Sequence, residues 1–167
     1  MKLIYYPDSF LEKVVDPVDI ENPDFDPHEL KKEMVDTMIK CGGIGLSANQ
    51  VGIDRQVFVM GDTRANSTIC INPQILQYTE ETVTDAEGCL SFPNLYLNVK
   101  RPRDILVTHW NENLEQVTEK VTGYSARVYL HELDHLLGIT FRDRVSKLRW
   151  DMAAKKANKV MKNGHRY

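Results

Sequence analysis

Two histidines four residues apart, with a glutamate directly after the first, constrain this chain more than any other feature: His131-Glu132-Leu133-Asp134-His135. On an α-helix that spacing sets both imidazoles on one face, one turn apart, where they can share a cation. Glu132 is too short and too close to be a third ligand in that geometry. Its carboxylate reaches instead toward a water beside the cation, the mechanical sense of the H-E-x-x-H pattern. The motif therefore requires a helix and a fold that wraps a polar centre around it. Asp134, inside the motif, reads either as a hydrogen-bond partner that orients a ligand or as a charge on the helix surface.

Two histidines leave the coordination sphere open, and a catalytic site needs a third protein ligand plus a free place. Downstream of His135 the sequence offers no glutamate, one histidine (His165), and aspartates that lie in a basic tail. The third ligand must come from upstream. The best candidate is Cys89 in Glu87-Gly88-Cys89-Leu90-Ser91, where Gly88 lets the backbone approach a neighbour closely. The cysteines Cys41, Cys70 and Cys89 are too few for a disulfide framework, so each reads as buried filler, nucleophile or ligand. A third element, Gly43-Ile44-Gly45-Leu46-Ser47-Ala48-Asn49-Gln50, is glycine-rich but follows a helix and lacks the Lys-Ser/Thr ending of a phosphate loop. It reads as a helix stop and turn whose small residues and Gln50 amide could line a cleft. Arg127, four residues before His131, shares that helix face; if buried it needs a partner, Asp85 or Glu87, and otherwise it is a surface residue.

The chain has 167 residues, 42% hydrophobic and 27% charged, which suits a single domain spanning 1–167 with a sizeable core. No apolar run is long enough to cross a bilayer. No basic, then apolar, leader opens the chain, so a cytoplasmic protein, or the mature form of an organellar one, is expected. Charge is unevenly spread. Residues 142–167 carry nine Lys/Arg against two Asp, while the rest carries twelve Lys/Arg against 22 Asp/Glu. A basic tail on an acidic body points to an anionic partner, or simply to a solvated lysine-rich helix face.

Pro7, Pro17, Pro23 and Pro27 mark an extended leading segment. Asp26-Pro27 then starts a helix to about residue 40, which the glycines at 42, 43 and 45 end. Strands are predicted over 56–60, 68–76 and 78–84, with a bend at Asn72-Pro73, and over 103–111 and 115–122 around the Asn111-Glu112-Asn113 turn. Helices follow over 124–137 and 147–162. The order gives an α+β fold, antiparallel strands packed around a central metal-binding helix, with a further C-terminal helix.

Taken together, GIGLSANQ, EGCLS and HELDH resemble, in order and spacing, the three signature motifs of the peptide deformylases, and the likeness spans nearly the whole chain. The resemblance implies removal of the formyl group from N-formylmethionyl ends of new polypeptides, releasing formate. It implies Cys89, His131 and His135 as ligands of one Fe²⁺, replaceable by Zn²⁺, Ni²⁺ or Co²⁺. Glu132 is then the proton carrier, with the Gln50 amide and the Leu90 N–H stabilising the formyl oxygen. Gly43, Ile44 and Gly45 would hold the substrate backbone, and Val128, beside Ile44 and His131, would line a pocket for the methionine side chain. Ser47, where alanine is usual, and Cys41-Gly42 are expected at the edge of the substrate cleft, away from the chemistry. The resemblance also suggests that the basic helix, with Lys155, Lys156, Lys159 and Lys162 on one broad face, docks on the ribosome; a monomer is expected. Two other readings compete: a small metallopeptidase, and a structural protein with a closed metal site.

Overall fold

The computed structural model describes residues 1–164. His165 lies outside the described residues, as does the side chain of Lys162. The first helix, α1 (Pro27–Lys40), begins as the sequence dictates: the Asp26 carboxylate accepts from the backbone N–H of His28 and Glu29, and Pro27 occupies the first turn. It ends at Cys41, and Gly42 takes the left-handed conformation (φ 73°) that stops it.

Seven strands follow: β1 (Gly45–Ser47), β2 (Val57–Met60), β3 (Thr68–Tyr78), β4 (Thr82–Cys89), β5 (Phe92–Pro102), β6 (Asp104–Trp110) and β7 (Gln116–Thr122). Five form one antiparallel sheet in the order β1-β2-β3-β6-β7, and β4 and β5 form a separate hairpin. Two further helices complete the chain, α2 (Gly123–Leu136) and α3 (Lys147–Gly164).

The β2 and early β3 part of the five-stranded sheet is buried on both faces, and strand alternation sorts its side chains. Val57, Val59, Ile69 and Ile71 pack with Met34 and Met38 of α1. Phe58, Cys70, Ile105 and Val107 pack with Ala126, Tyr129 and Leu130 of α2. Phe58 and Tyr129 meet edge to face, ring centroids 4.8 Å apart. A third cluster, Phe92, Leu95, Leu97, Val99 and Phe141, lies beneath the β4–β5 hairpin. α2 thus runs between the sheet and the hairpin, and its motif is flanked on both sides. Each fully buried side chain of this kind contributes about 1.5–3 kcal/mol relative to exposure.

The α+β order is as read, but three elements differ from expectation. The strand read over 78–84 begins only at Thr82, as β4, and the one read over 68–76 runs on to Tyr78, as β3. Its bend is absorbed as a bulge between Ile71 and Gln74, where Asn72 sits at φ 48° and its amide clasps both backbone groups of Val18. β5 was not anticipated, because Pro93, Asn94 and Pro102 read as turn residues. The alternation Leu95, Leu97, Val99, Arg101 is nevertheless all inward-facing. Finally, the glycine-rich element begins with a strand, β1, before a short 3₁₀ turn, Ala48–Val51.

Candidate metal centre

His131 and His135 project from α2 with ring centroids 5.0 Å apart. Cys89 comes from the end of β4, across from them. Pairing in the hairpin is regular from Thr82 to Gly88 and then slips, so that Cys89 faces Phe92 at the Leu90-Ser91 turn. Such a slip re-aims a side chain. At Gly88 a Cβ would lie 2.8 Å from the ring of the exposed Tyr96, which would have to shift. Cys89 Sγ stands 3.2 Å from His135 Nε2, and the ligand atoms of Cys89, His131 and His135 all lie within 4.8 Å of one another. One sulfur and two imidazoles at this separation fit a single divalent cation of the borderline-soft class with a place left open. No fourth histidine, cysteine or acidic side chain converges with them among the described residues, which argues against a closed structural site.

The ligands are held by a buried ionic network. Glu87 lies two residues before Cys89, ahead of the slip, and is buried against α2. Its Oε2 is 3.0 Å from His131 Nδ1, which leaves Nε2 for a cation. The same carboxylate takes a two-pronged bond from Arg101 (2.9 and 3.0 Å) and a 2.7 Å bond from Arg127. Arg127 also donates to the carbonyls of Val99 and Val83. Arg101 spans on to Asp134 (2.6 Å), whose other oxygen is taken by Arg144. Glu87, Arg101, Arg127 and Asp134 are all buried. Burial alone would raise the Glu87 carboxyl, but the bonds from His131 and Arg101 hold it down at about 2. Burial pushes His135 well below its usual range, toward the neutral form that ligates. Asp134 is therefore a buried partner of Arg101 and Arg144, and of the two partners weighed for Arg127 its guanidinium pairs with the Glu87 carboxylate. Arg101 and Arg144 were missed; the period-2 run through Arg101 was the available signal.

The glycine-rich element lies against α2. Asn49 donates to the His135 carbonyl (2.6 Å). Gln50 accepts from the Ser47 N–H (2.9 Å) and directs its amide nitrogen to Ser91 Oγ (3.0 Å) and Cys89 Sγ (3.4 Å), so it braces the Cys89 turn. Glu132 is buried. Burial raises its carboxyl, against the opposing effects of His131 and of a hydrogen bond from Ser47. Ser47 itself is fully buried, with Oγ 2.6 Å from Glu132 Oε2. The expectation that Ser47 touches only the edge of the cleft is corrected: as a β1 residue it faces inward, onto α2. Cys41 is exposed and does lie at the rim.

A cleft of about 540 Å³ opens over these groups, with Gly43, Ile44, Gly45, Leu90, Val128 and Glu132 among its walls. Leu90 packs on Gly43, where a Cβ would lie 2.6 Å from its Cδ1. Among the described strands, β1 pairs with β2 alone and is an edge of its sheet. The sequence-predicted ligands, base and cleft residues are thus all brought to one place.

Comparison with known proteins bears on this geometry. The profile of the family described as polypeptide deformylase matches residues 1–150. The chain is 38% identical over 166 residues to the peptide deformylase of Aquifex aeolicus, covering 96% of each chain. Its structure superposes on that of a peptide deformylase from Legionella pneumophila with TM-score 0.88 at 30% identity, covering 99% of this chain and 98% of that one. A peptide deformylase from Synechococcus elongatus, solved in complex with actinonin, gives TM-score 0.86 at 34% identity over 95% of this chain and 86% of the other.

Proposed function

The chain belongs to the polypeptide deformylase family, and we propose that its reaction is run by Glu132 beside a divalent cation held by Cys89, His131 and His135. As a member of that family it is an amide hydrolase that removes the N-formyl group from new polypeptides. The assignment of roles rests on one observation: a sulfur and two ring nitrogens within 4.8 Å of one another, with the Glu132 carboxylate in the same cleft.

When bound, the cation supplies Lewis acidity, which makes an acyl carbon more electrophilic and a nearby water more acidic. Glu132 takes the proton of the attacking water and later delivers it to the departing amine, so that formate and a free amino end leave. The Leu90 N–H and the Gln50 amide, both beside Cys89, meet the charge that develops on the formyl oxygen. The free edge of β1 receives the substrate as an added strand, through the main chain of Gly43, Ile44 and Gly45. Ile44, Val128 and the His131 ring shape the methionine pocket.

Formylated and unformylated Met peptides assayed side by side test the reading. Turnover of the first alone is expected, and equal cleavage of a peptide bond in both would support the peptidase alternative. Cys89→Ala is expected to lose the cation; full occupancy in that variant would remove Cys89 from the ligand set. The family resemblance favours Fe²⁺, although the donor set also suits Zn²⁺. Metal analysis after anaerobic purification decides between them.

Residues 1–167 act as one unit, a reading supported by the packing of Trp150 of α3 against Tyr6 and Phe92. No helix among the described residues is long and apolar enough to cross a membrane. A monomer, cytoplasmic or the mature form of an organellar protein, is proposed. The basic face of α3 is proposed to contact the ribosome; reversing Lys155, Lys156 and Lys159 to Glu would then abolish salt-sensitive co-sedimentation.

A further inference from the structure

We propose that Ser47 is a positioning residue for the Glu132 carboxylate, holding one of its oxygens so that the other is kept at the cleft. The proposal rests on the assignment of Glu132 as the proton carrier. Its basis is the geometry of one strand face. Gly45 and Ser47 are two apart on β1 and therefore point the same way. That face looks onto α2 at Glu132.

At the Ser47 end, the hydroxyl lies 2.6 Å from Glu132 Oε2 and 3.0 Å from the Glu132 main-chain oxygen. At the Gly45 end, the carboxyl group occupies the space a Cβ would fill: that atom would sit 2.9 Å from Glu132 Cδ and 3.0 Å from Cγ. The carboxylate is thus tethered at Oε2, with Oε1 lying against the bare backbone of Gly45, which lines the cleft together with Glu132. Ser47 cannot drift, because it is fully buried and its own N–H is bonded to Gln50 Oε1 at 2.9 Å.

A glutamate has three rotatable side-chain bonds, and holding it in one rotamer costs entropy that must be met by contacts. A short bond to an ionised oxygen is among the stronger contacts available. A serine hydroxyl also has one proton and two acceptor sites. It can donate to Oε2 while the carboxylate is ionised. Once Oε1 carries the proton taken from the water, Oε2 is a carbonyl oxygen and still accepts the same hydrogen bond. The tether therefore survives both halves of the proton transfer, which an alanine at this position could not provide.

Ser47→Ala and Ser47→Thr in the metal-loaded full chain test the proposal, with Glu132→Gln as the reference. In Ser47→Ala, kcat is expected to fall roughly three- to ten-fold with KM and metal content unchanged. Ser47→Thr, which keeps the hydroxyl, should recover most of that loss. An infrared band assigned to the Glu132 carboxylate by its absence in Glu132→Gln should shift in Ser47→Ala, independently of turnover. If Ser47→Ala loses thermal stability but keeps kcat and the band position, the hydroxyl only ties β1 to α2 and the proposal is overturned. Loss of metal in Ser47→Ala would overturn it too. Near-normal turnover by Glu132→Gln would instead remove the underlying assignment.

Discussion

α2 and α3 are both helices of the C-terminal half, and they use charge in opposite ways. α2 buries Arg127, His131, Glu132, Asp134 and His135. Glu87 and Arg101 join Arg127, His131 and Asp134 into one set of bonds, while Glu132 is held by Ser47 and His135 stands beside Cys89. α3 does the reverse. Leu148 and Met152 are 70% and 65% exposed, and Val160 is half exposed. Lys147 bonds only Asp151 on the same helix, at the surface. The helix is held by Ala157 and by Trp150, which lies edge-on to Tyr6 and Phe92, centroids 5.7 and 6.0 Å apart.

The contrast teaches what each helix is for. Burying charge costs several kcal/mol per ion unless every partner is in place, and an apolar replacement is often as stable. The network around α2 is thus poor value as a source of stability and good value as a means of fixing two imidazoles and a carboxylate. Exposed pairs on α3 contribute at most about 1 kcal/mol each. The family profile ends at Trp150, the residue that anchors α3.

This contrast makes graded predictions. Glu132→Gln should lower turnover by about 10²- to 10⁴-fold while the protein keeps its metal and its melting temperature; paired turnover and metal analysis check this. If the melting temperature fell as much as turnover did, α2 would not be a helix specialised for function. Arg101→Met leaves Glu87 and Asp134 buried with fewer partners. A loss of about 3–5 kcal/mol in denaturant unfolding is expected, together with roughly 10- to 100-fold weaker metal retention under chelator competition. A stable variant that held its metal would reduce the network to packing. Trp150→Ala should cost about 1–3 kcal/mol by thermal unfolding and leave kcat/KM intact, since Trp150 stands on the α3 side of a cluster that meets His131 only through Phe141. Replacing Lys155, Lys156 and Lys159 together by Gln should change stability by less than about 0.5 kcal/mol and turnover not at all. A loss of turnover there would show that α3 reaches the cleft, and the comparison would fail.

How much was legible differs from residue to residue. α1 was readable because its capping aspartate, first-turn proline and terminal glycine are local signals. The pair His131 and His135 was readable because helical spacing converts directly into a shared face. Cys89 was the candidate left by exclusion, since no glutamate follows His135 and the downstream aspartates and His165 belong to a basic tail. β5 was not read, although it alternates cleanly from Leu95 to Arg101, because prolines and asparagine at its ends imitate a loop. That omission hid Arg101, and with it the reason Glu87 can sit ionised behind His131. Ser47 was assigned to the cleft edge because a glycine-rich run gives no sign of which way a three-residue strand faces.

The sequence by itself determined the donor types: two histidines with a glutamate on one helix, and an α+β order in which a cysteine precedes them. Those are properties of residue type and of spacing within one element, which short-range sterics translate into geometry. Only the tertiary structure decided which groups stand behind the ligands. The distances from Glu87 to His131, Arg101 to Asp134 and Ser47 to Glu132 join residues 44, 33 and 85 positions apart. Contacts of that range follow from how β1 and the β4–β5 hairpin pack against α2, and no local pattern encodes them.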